Sequence, residues 1–148
     1  MASNKLLSAK YLYALELVAR LFSEHKRAIG GVPYITHLVA VCHIVEQLTD
    51  DENVHLAALL HDVLEDIPAS QYGVVEMKVD FGAEVLQIVQ TVSHDDARYG
   101  KDEARRRYLQ QLEFGSLNAC LVSGADMLDN GTDLIYWYER EPAKLTDC

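Results

Sequence analysis

Four titratable side chains lie close together in the middle of the chain: His61, Asp62, Glu65 and Asp66. On an α-helix, at about 100° per residue, these four fall within a sector of roughly 140°, and their apolar neighbours take the opposite sector. Adjacent His61 and Asp62 diverge by about 100°, which suits two ligands that reach one ion. If the fold covers these charged groups, burying each of them costs several kcal/mol unless a cation compensates its charge. The simpler alternative is a polar helix face exposed to solvent.

A metal site needs further ligands, and two residues elsewhere in the chain are candidates. His37 begins a predicted helix, a common place for a histidine with no special role. Asp126 lies in an otherwise apolar stretch, where a lone aspartate is equally a solvent-facing residue or a buried hydrogen-bond acceptor. With His61 and Asp62 they supply two imidazoles and two carboxylates. Such a mixed set suits a divalent ion such as manganese, iron, magnesium or zinc.

The elements that must position these residues are helices, because apolar residues recur at steps of three or four along the chain. The first helix is expected to end near Ile29, before the breaker cluster from Gly30 to Pro33, and Thr36 is expected to cap the second. The predicted helices cover residues 5–26, 37–48, 54–67, 70–81, 83–92, 101–113 and 116–137, with a polar connection over 93–100. No run alternates with period two, so the predicted fold class is all-α, a bundle of about six to eight helices.

The composition limits the classes of protein and partner that fit the chain. At 148 residues, 49% of them hydrophobic and 24% charged, it suits a single globular domain spanning 1–148. A formal charge of −10 argues against binding a nucleic-acid polymer, and no window reaches the roughly 18 apolar residues of a membrane helix. Residues 1–7 do not resemble a secretory signal, so a cytoplasmic location is expected. Cys42, Cys120 and Cys148 lack paired spacing and are expected to be reduced thiols.

Four segments of the chain carry a resemblance to a known family. They are the Pro-Tyr-Ile-Thr-His run at 33–37, the run at 57–66, Phe81-Gly82, and the run at 125–130. In this order they resemble the HD superfamily of metal-dependent phosphohydrolases, and more narrowly the RelA/SpoT-type (p)ppGpp hydrolase domain. The similarity covers roughly residues 10–140 and implies an all-α HD-domain bundle.

The resemblance implies a role for each residue of the polar cluster. One divalent metal, with manganese as the first expectation and iron, magnesium or zinc as alternatives, would be held by His37, His61, Asp62 and Asp126. Glu65 and Asp66 would position and activate the attacking water. The resemblance therefore predicts metal-assisted hydrolysis.

The predicted substrate contacts are Lys26, Arg27, Tyr34, Arg107 and Asn130. Two departures from the family pattern concern this side of the site. The family's histidine, glutamine and Arg-Lys pair precede the Pro-Tyr-Ile motif at set distances, whereas residues 25–29 crowd these elements closer. Ser123 stands where the family commonly has a lysine, three residues before Asp126. Arg107 falls where the family often has an arginine, although a run of three arginines beside acidic neighbours is equally a solvated face.

The function that the resemblance implies is a stand-alone alarmone hydrolase, which removes the 3′-diphosphate from guanosine tetra- or pentaphosphate and releases pyrophosphate. The alternative is an HD enzyme for a nucleoside monophosphate, a dinucleotide polyphosphate or another phosphoester, which the altered 25–29 segment and Ser123 favour. A third interpretation is a metal-bearing binding module without turnover, against which the intact Glu65 and Asp66 argue. The expected partner is a small nucleotide, and the oligomeric state is left open.

Overall fold

Helices form nearly all the regular structure of the chain. The computed structural model describes residues 7–145, apart from the side chains of residues 97 and 144. In chain order the helices are α1 (Ala9–Leu21), α2 (Ile35–Glu46), α3 (Glu52–Leu60), α4 (Val63–Asp66), α5 (Val74–Phe81), α6 (Ala83–Val92), α7 (Asp96–Tyr99), α8 (Lys101–Glu113), α9 (Leu117–Arg140) and a 3-10 helix (Pro142–Leu145). Within the described residues α4 and α7 are single turns, the seven other α-helices have eight or more residues, and no strand is formed. The predicted all-α bundle is confirmed.

The α3 helix lies at the centre of the core, packed against α1, α2, α6 and α9. Six of its nine residues are buried: Val54, Leu56, Ala57, Ala58, Leu59 and Leu60. A helix that is apolar on all sides belongs inside the fold. Each fully buried leucine contributes about 1.5–3 kcal/mol, because its side chain is removed from water. This burial brings the residues that follow α3, His61 and Asp62, into the interior.

The segment predicted as one helix over 54–67 is two helices, so that prediction is wrong. The α3 helix ends at Leu60, His61 and Asp62 form a turn, and α4 follows. Nδ1 of His61 donates to the carbonyl of Ala58 at 2.8 Å, in competition with the backbone N–H groups of a continuing helix. The backbone of Asp62, at φ −91° and ψ −5°, departs from regular helical values. A turn, and not one face of a continuous helix, therefore presents both side chains.

The first helix is shorter than the apolar pattern over 5–26, and the prediction that it ends near Ile29 is wrong. The helix covers Ala9–Leu21. The Ser8 hydroxyl caps it by accepting a hydrogen bond from the backbone N–H of Tyr11 at 3.0 Å. The first two positions of the predicted range lie outside the described residues. After Leu21 the backbone follows a non-helical path, because Lys26 pairs with Pro33 further along the chain.

That path is a loop over residues 25–34, called here the 25–34 loop. Lys26 and Pro33 form an isolated antiparallel bridge across it. Gly30 turns the chain with a φ of +76°, and a Cβ atom at this position would clash with the ring of Trp137 on α9. Glycine alone combines a left-handed backbone with so close an approach. The 25–34 loop is therefore held against α9.

The other helix boundaries differ from the predictions mainly at their first residues. The α2 helix begins at Ile35, so Thr36 lies inside its first turn and does not cap it. The Thr36 hydroxyl donates to the carbonyl of Pro33 at 2.8 Å. The α5 helix begins at Val74 and not at position 70, since Gly73 takes the position before the helix in an extended conformation. The predicted 93–100 connection contains α7, and α9 continues three residues beyond its predicted end.

Three further expectations concern the whole chain. None of the described helices is both long and apolar enough to span a membrane. Cys42 is buried and Cys120 is exposed, and both are free thiols, whereas Cys148 lies outside the described residues. The assignment of 1–148 to one domain stays a prediction.

Candidate metal centre and active site

Three helices bring the predicted metal ligands to one region inside the bundle. His37 is in the first turn of α2, and Asp126 is in α9. His61 and Asp62 form the turn between α3 and α4. The α2, α3 and α9 helices pack against one another, which places the four side chains together. His37 and His61 are buried, at 2% and 3% exposure, and the two carboxylates keep a partial opening to solvent.

The four side chains form a compact cluster of imidazoles and carboxylates. Nε2 of His37 lies 3.2 Å from Oδ1 of Asp126 and 3.6 Å from Oδ2 of Asp62. Nε2 of His61 lies 3.1 Å from Oδ2 of Asp62 and 3.8 Å from Oδ1 of Asp126. Ligand atoms of His37, His61 and Asp126, one from each, all lie within 4.8 Å of one another. Residues from distant parts of the chain thus converge on one point.

The hydrogen bonding of His61 leaves one atom without a partner. Nδ1 donates to the carbonyl of Ala58, so Nε2 carries the lone pair. In the neutral imidazole the buried Nε2 has no hydrogen-bond partner among the described residues, because the nearby oxygens of Asp62 and Asp126 are acceptors. A buried polar atom without a partner costs about 1–3 kcal/mol. A cation between two imidazoles and two carboxylates would satisfy that atom, and nitrogen and oxygen donors of this kind suit a divalent metal. The residues present therefore fit such an ion.

A family model matches the part of the chain that builds this cluster. The model, described as HD domain, matches residues 14–129, which include all four side chains. The chain belongs to the HD-domain family. The resemblance found in the sequence is confirmed, and membership of the family implies binding of a divalent metal. His37, His61 and Asp126 lie close enough together to hold such an ion.

Named relatives cover much of this HD domain. The chain is 37% identical over 130 residues to guanosine-3′,5′-bis(diphosphate) 3′-pyrophosphohydrolase MESH1 of Drosophila melanogaster, across 86% of this chain and 70% of that protein. It is 46% identical over 97 residues to guanosine-3′,5′-bis(diphosphate) 3′-pyrophosphohydrolase of Haemophilus influenzae, across 66% of this chain but only 13% of that protein. A solved structure, described as a metazoan ortholog of SpoT that hydrolyzes ppGpp and plays a role in starvation responses, matches with a TM-score of 0.80 and 32% identity, covering 89% of this chain and 74% of that one.

The side chains of His37, His61, Asp62 and Asp126 are called here the HD cluster. Two residues predicted to contact substrate are hydrogen bonded to its carboxylates. The hydroxyl of Tyr34 donates to Oδ2 of Asp62 at 2.7 Å. Nδ2 of Asn130 donates to Oδ1 of Asp126 at 2.7 Å. Tyr34 also stacks on Phe22, with ring centroids 5.3 Å apart, which limits its movement. Partners of this kind orient metal ligands, so Tyr34 and Asn130 are placed to support the cluster.

Charges within the cluster change the pKa values of its members. Burial opposes protonation of His61, but Asp62 and Asp126 outweigh it and raise the pKa of this imidazole well above its usual value. Burial also opposes ionisation of the two aspartates, yet the neighbouring histidines hold the pKa of both carboxyls below the ordinary range. A protonated imidazole therefore balances the carboxylates when no metal is bound. Because metal ligands must be deprotonated, binding of a divalent ion would release this proton.

Glu65 and Asp66, both predicted to be catalytic, occupy different positions. Glu65 lines the central cavity of about 200 Å³, which Asp62 also lines. Its carboxylate accepts from the backbone N–H of His94 at 2.9 Å. Burial, with the charges of Asp62 and Asp66, raises the pKa of Glu65 to about 7, against the lowering effect of the His94 bond. Asp66 lines a different, larger cleft, and burial and Asp62 raise its pKa. Of these two residues, Glu65 is therefore the better placed to act as the predicted general base.

Two larger clefts share residues with the central cavity. One, of about 830 Å³, is called here the acidic cleft because it is lined by Glu65, Asp66, Asp95 and Asp96. The other, of about 340 Å³, is called the Arg27 cleft and includes Arg27, Tyr34, His37 and Asn130. Glu65 lines both the central cavity and the acidic cleft, whereas Tyr34 and Asn130 line both the central cavity and the Arg27 cleft. The HD cluster therefore lies between a cleft lined by acidic residues and a cleft that contains the paired charges of Arg27 and Asp133.

The three basic residues predicted to bind substrate have different surroundings. Lys26 is exposed on the 25–34 loop. Arg27, with a side chain only 9% exposed, lies 2.6 Å from Asp129. Arg107 is exposed on α8 and lies 2.8 Å from Glu103. The structure thus brings Arg27 to the site and leaves Arg107 in a surface ion pair, and contact of these residues with substrate stays a prediction.

Three residues at the HD site were not predicted from the sequence. Asp129 lies with Oδ2 2.6 Å from Nδ1 of His37. The ring of His94 stacks on Tyr108 at 3.9 Å, and both residues line the central cavity. The sequence does contain a signal for Asp129, because residues three apart on a helix are neighbours and Asp126 is already a candidate ligand. His94 and Tyr108 come from separate segments, and only the fold brings them together.

Proposed function

We propose that this HD domain is a metal-dependent phosphohydrolase that removes the 3′-diphosphate from guanosine tetra- or pentaphosphate-like nucleotides and releases pyrophosphate. The observation that carries the proposal is the buried cluster of His37, His61, Asp62 and Asp126, with Glu65 on the edge of the same cavity. The names of the Drosophila and Haemophilus relatives support the substrate class. The whole chain, 1–148, would serve as one hydrolase domain acting on a small nucleotide in the cytoplasm.

In the proposed reaction, water attacks the phosphorus bonded to the 3′ oxygen, and that P–O bond breaks. A divalent ion, when bound, lowers the pKa of water and neutralises phosphate oxygens. Glu65 accepts the proton of the attacking water, a role favoured by a carboxyl pKa of about 7. The charge of Asp66 contributes to that raised pKa and so supports proton uptake. The departing 3′ oxygen takes up a proton and becomes a hydroxyl.

Manganese is the metal in this proposal, with iron, magnesium and zinc as alternatives. The support is the donor set, since His37 and His61 each direct an imidazole nitrogen into the cluster. Magnesium prefers oxygen ligands in octahedral geometry, whereas manganese, iron and zinc accept mixed nitrogen and oxygen donors. Elemental analysis of protein purified without chelator, followed by anaerobic reconstitution with each metal, identifies the ion.

The test of the function is a pyrophosphate-release assay with each reconstituted metal. Substrates are guanosine and adenosine 3′,5′-bis-diphosphates, the matching 3′-phospho nucleotides and 5′-only nucleotides, ranked by kcat/KM. Strong preference for a 3′-diphosphate supports the proposal. If 5′-monophosphates are the best substrates, the alarmone assignment is wrong.

A second candidate function, hydrolysis of another phosphoester, has one observation in its favour. Ser123 is buried in α9, and its hydroxyl is hydrogen bonded to that of Tyr108 at 2.5 Å in the wall of the central cavity. Related hydrolases commonly carry a lysine at this position, so this chain has a neutral hydroxyl where they have an ammonium group. The same substrate panel distinguishes the two functions.

A further inference from the structure

Asp129 lies on the far side of the His37 ring from the metal cluster. It follows Asp126 by three residues on α9, and its side chain is 13% exposed. Oδ2 of Asp129 lies 2.6 Å from Nδ1 of His37, whereas Nε2 of the same ring lies 3.2 Å from Asp126. The two ring nitrogens are distinct and point in different directions, so Asp129 does not share the ion that Nε2 would bind. Asp129 contacts a ligand and not the metal position.

This contact determines which nitrogen of His37 is free to bind a metal. An ionised carboxylate only accepts hydrogen bonds, so Nδ1 donates to Asp129, and Nε2 is the nitrogen left to present its lone pair when a metal is bound. His61 has the same tautomer, but its Nδ1 donates to the backbone carbonyl of Ala58. The two imidazoles therefore differ in their partner, a carboxylate in one case and a neutral carbonyl in the other. A carboxylate partner fixes the ring and increases the basicity of the ligating nitrogen.

Arg27 holds Asp129 in this position. Its Nη1 lies 2.6 Å from Oδ2 of Asp129, the same oxygen that meets His37. Its Nε lies 3.0 Å from Oδ2 of Asp133, and its Nη2 donates to Oδ1 of Asn130 at 3.3 Å. All three partners are on α9, and the Arg27 side chain is 9% exposed. Arg27 thus joins the 25–34 loop to the residues that support the cluster.

We propose that Asp129, held by Arg27, is a positioning residue that sets the metal affinity of His37. The inference rests on the metal site proposed above and extends it, because Arg27 then supports a ligand where the sequence predicted a substrate contact. Loss of such an outer partner typically weakens metal affinity by about 10–100-fold. An ion pair that merely fastened the loop to α9 would change the stability of the fold but not the affinity of the folded site.

The matched variants Asp129→Ala and Asp133→Ala separate these roles. Each removes one carboxylate partner of Arg27 from the same helix, but of the two aspartates Asp129 is the one in contact with His37. The measurement is the Kd for Mn²⁺ of the purified full chain, by calorimetric titration. We expect Asp129→Ala to weaken binding by about 10–100-fold and Asp133→Ala by less than about 3-fold. Asp129→Asn should lose less than Asp129→Ala, because an amide oxygen still accepts from Nδ1.

A spectroscopic readout tests the tautomer directly. Long-range ¹H–¹⁵N spectra of the zinc-loaded protein should show His37 protonated on Nδ1, with the Nδ1 proton shifted upfield or lost to exchange in Asp129→Ala and retained in Asp133→Ala. If Asp129→Ala does not fold, the comparison of Asp129→Asn with Asp133→Asn replaces it, and the larger loss of affinity must again be at Asp129.

Each outcome bears on a distinct claim. Equal effects at Asp129 and Asp133, or unchanged affinity in the Asp129 variants, overturn the positioning role. A wild-type chain that binds no divalent metal overturns both this role and the metal site. A chain that binds metal and loses affinity specifically at Asp129, yet releases no pyrophosphate from any substrate, contradicts the proposed function and leaves the positioning role supported.

Discussion

The two histidines of the cluster are held by regions built in different ways. His61 is fixed locally, through a bond to a carbonyl three residues earlier, in the turn that ends the buried α3 helix. His37 is fixed by Asp129, 92 residues away, which in turn is held by Arg27, 102 residues from it. The α3–α4 turn therefore forms its half of the site from one short segment, whereas the α2–α9 side depends on tertiary packing and on a partly buried ion pair.

The two regions also differ in the chemistry they offer. The α3–α4 side continues into Glu65 and the acidic cleft, which can take up a proton. The α2–α9 side continues into the Arg27 cleft, where the charged groups are bonded to one another. We infer that proton transfer belongs to the first side and ligand support to the second. Substitution of Glu65 on the first side should then reduce turnover, whereas substitution of Asp129 on the second should weaken metal binding.

The largest effect is expected from Asp126→Ala, which removes a ligand on the α9 side. The variant should lose the metal and all measurable turnover. The melting temperature should no longer rise on addition of Mn²⁺, since a ligand that binds only the folded state stabilises it by mass action. Metal content and melting curves with and without Mn²⁺ provide the measurement, with the metal-free protein as control. A variant that keeps metal and activity would move the fourth ligand elsewhere.

Glu65→Gln tests the opposite side and should separate turnover from metal binding. We expect the variant to keep the ion and lose turnover by about 100-fold or more, the usual scale for removing a general base. Asp66→Asn is the neighbouring control and should lose less, because Asp66 lines the acidic cleft and not the central cavity. Loss of metal in both variants would make these residues ligands, and unchanged turnover in both would leave the reaction without its base.

The same contrast between local and long-range structure explains what the sequence could predict. The helical periodicity is a local signal, and the confirmed all-α fold follows from it. His37 and Asp126 lie far from the 57–66 segment in the chain, so only the family resemblance linked them to His61 and Asp62. The break after Leu60 was missed because it depends on the side-chain bond of His61 to a helix carbonyl. The pairing of Arg27 with Asp129 was missed because only the tertiary fold brings the 25–34 loop onto α9.

The pH dependence of the reaction should report Glu65. Burial and neighbouring carboxylates raise the pKa of Glu65 to about 7, and only its deprotonated form accepts a proton. The kcat/KM should therefore fall as pH drops below the pKa of Glu65, by about 10-fold per pH unit. A bound divalent cation favours the carboxylate, so the fall should begin below pH 7. The measurement is kcat/KM from pH 5 to 9 at saturating metal. An identical acid limb in Glu65→Gln would assign it to another group.

The smallest effect is expected for the base of the nucleotide, because the proposed chemistry acts on phosphate and we expect the altered positions to flank the nucleoside. Residues 25–29 depart from the family pattern, Ser123 replaces a common lysine, and three N–H groups of Arg27 are bonded within the protein. The kcat/KM for guanosine and adenosine 3′,5′-bis-diphosphates should then differ by less than about 10-fold, equivalent to about 1.4 kcal/mol. The control is the matching pair of 5′-only nucleotides, which should be poor substrates whichever base they carry. A preference for guanine above about 100-fold would show that the Arg27 side reads the base, and would return Arg27 or Lys26 to direct contact with substrate.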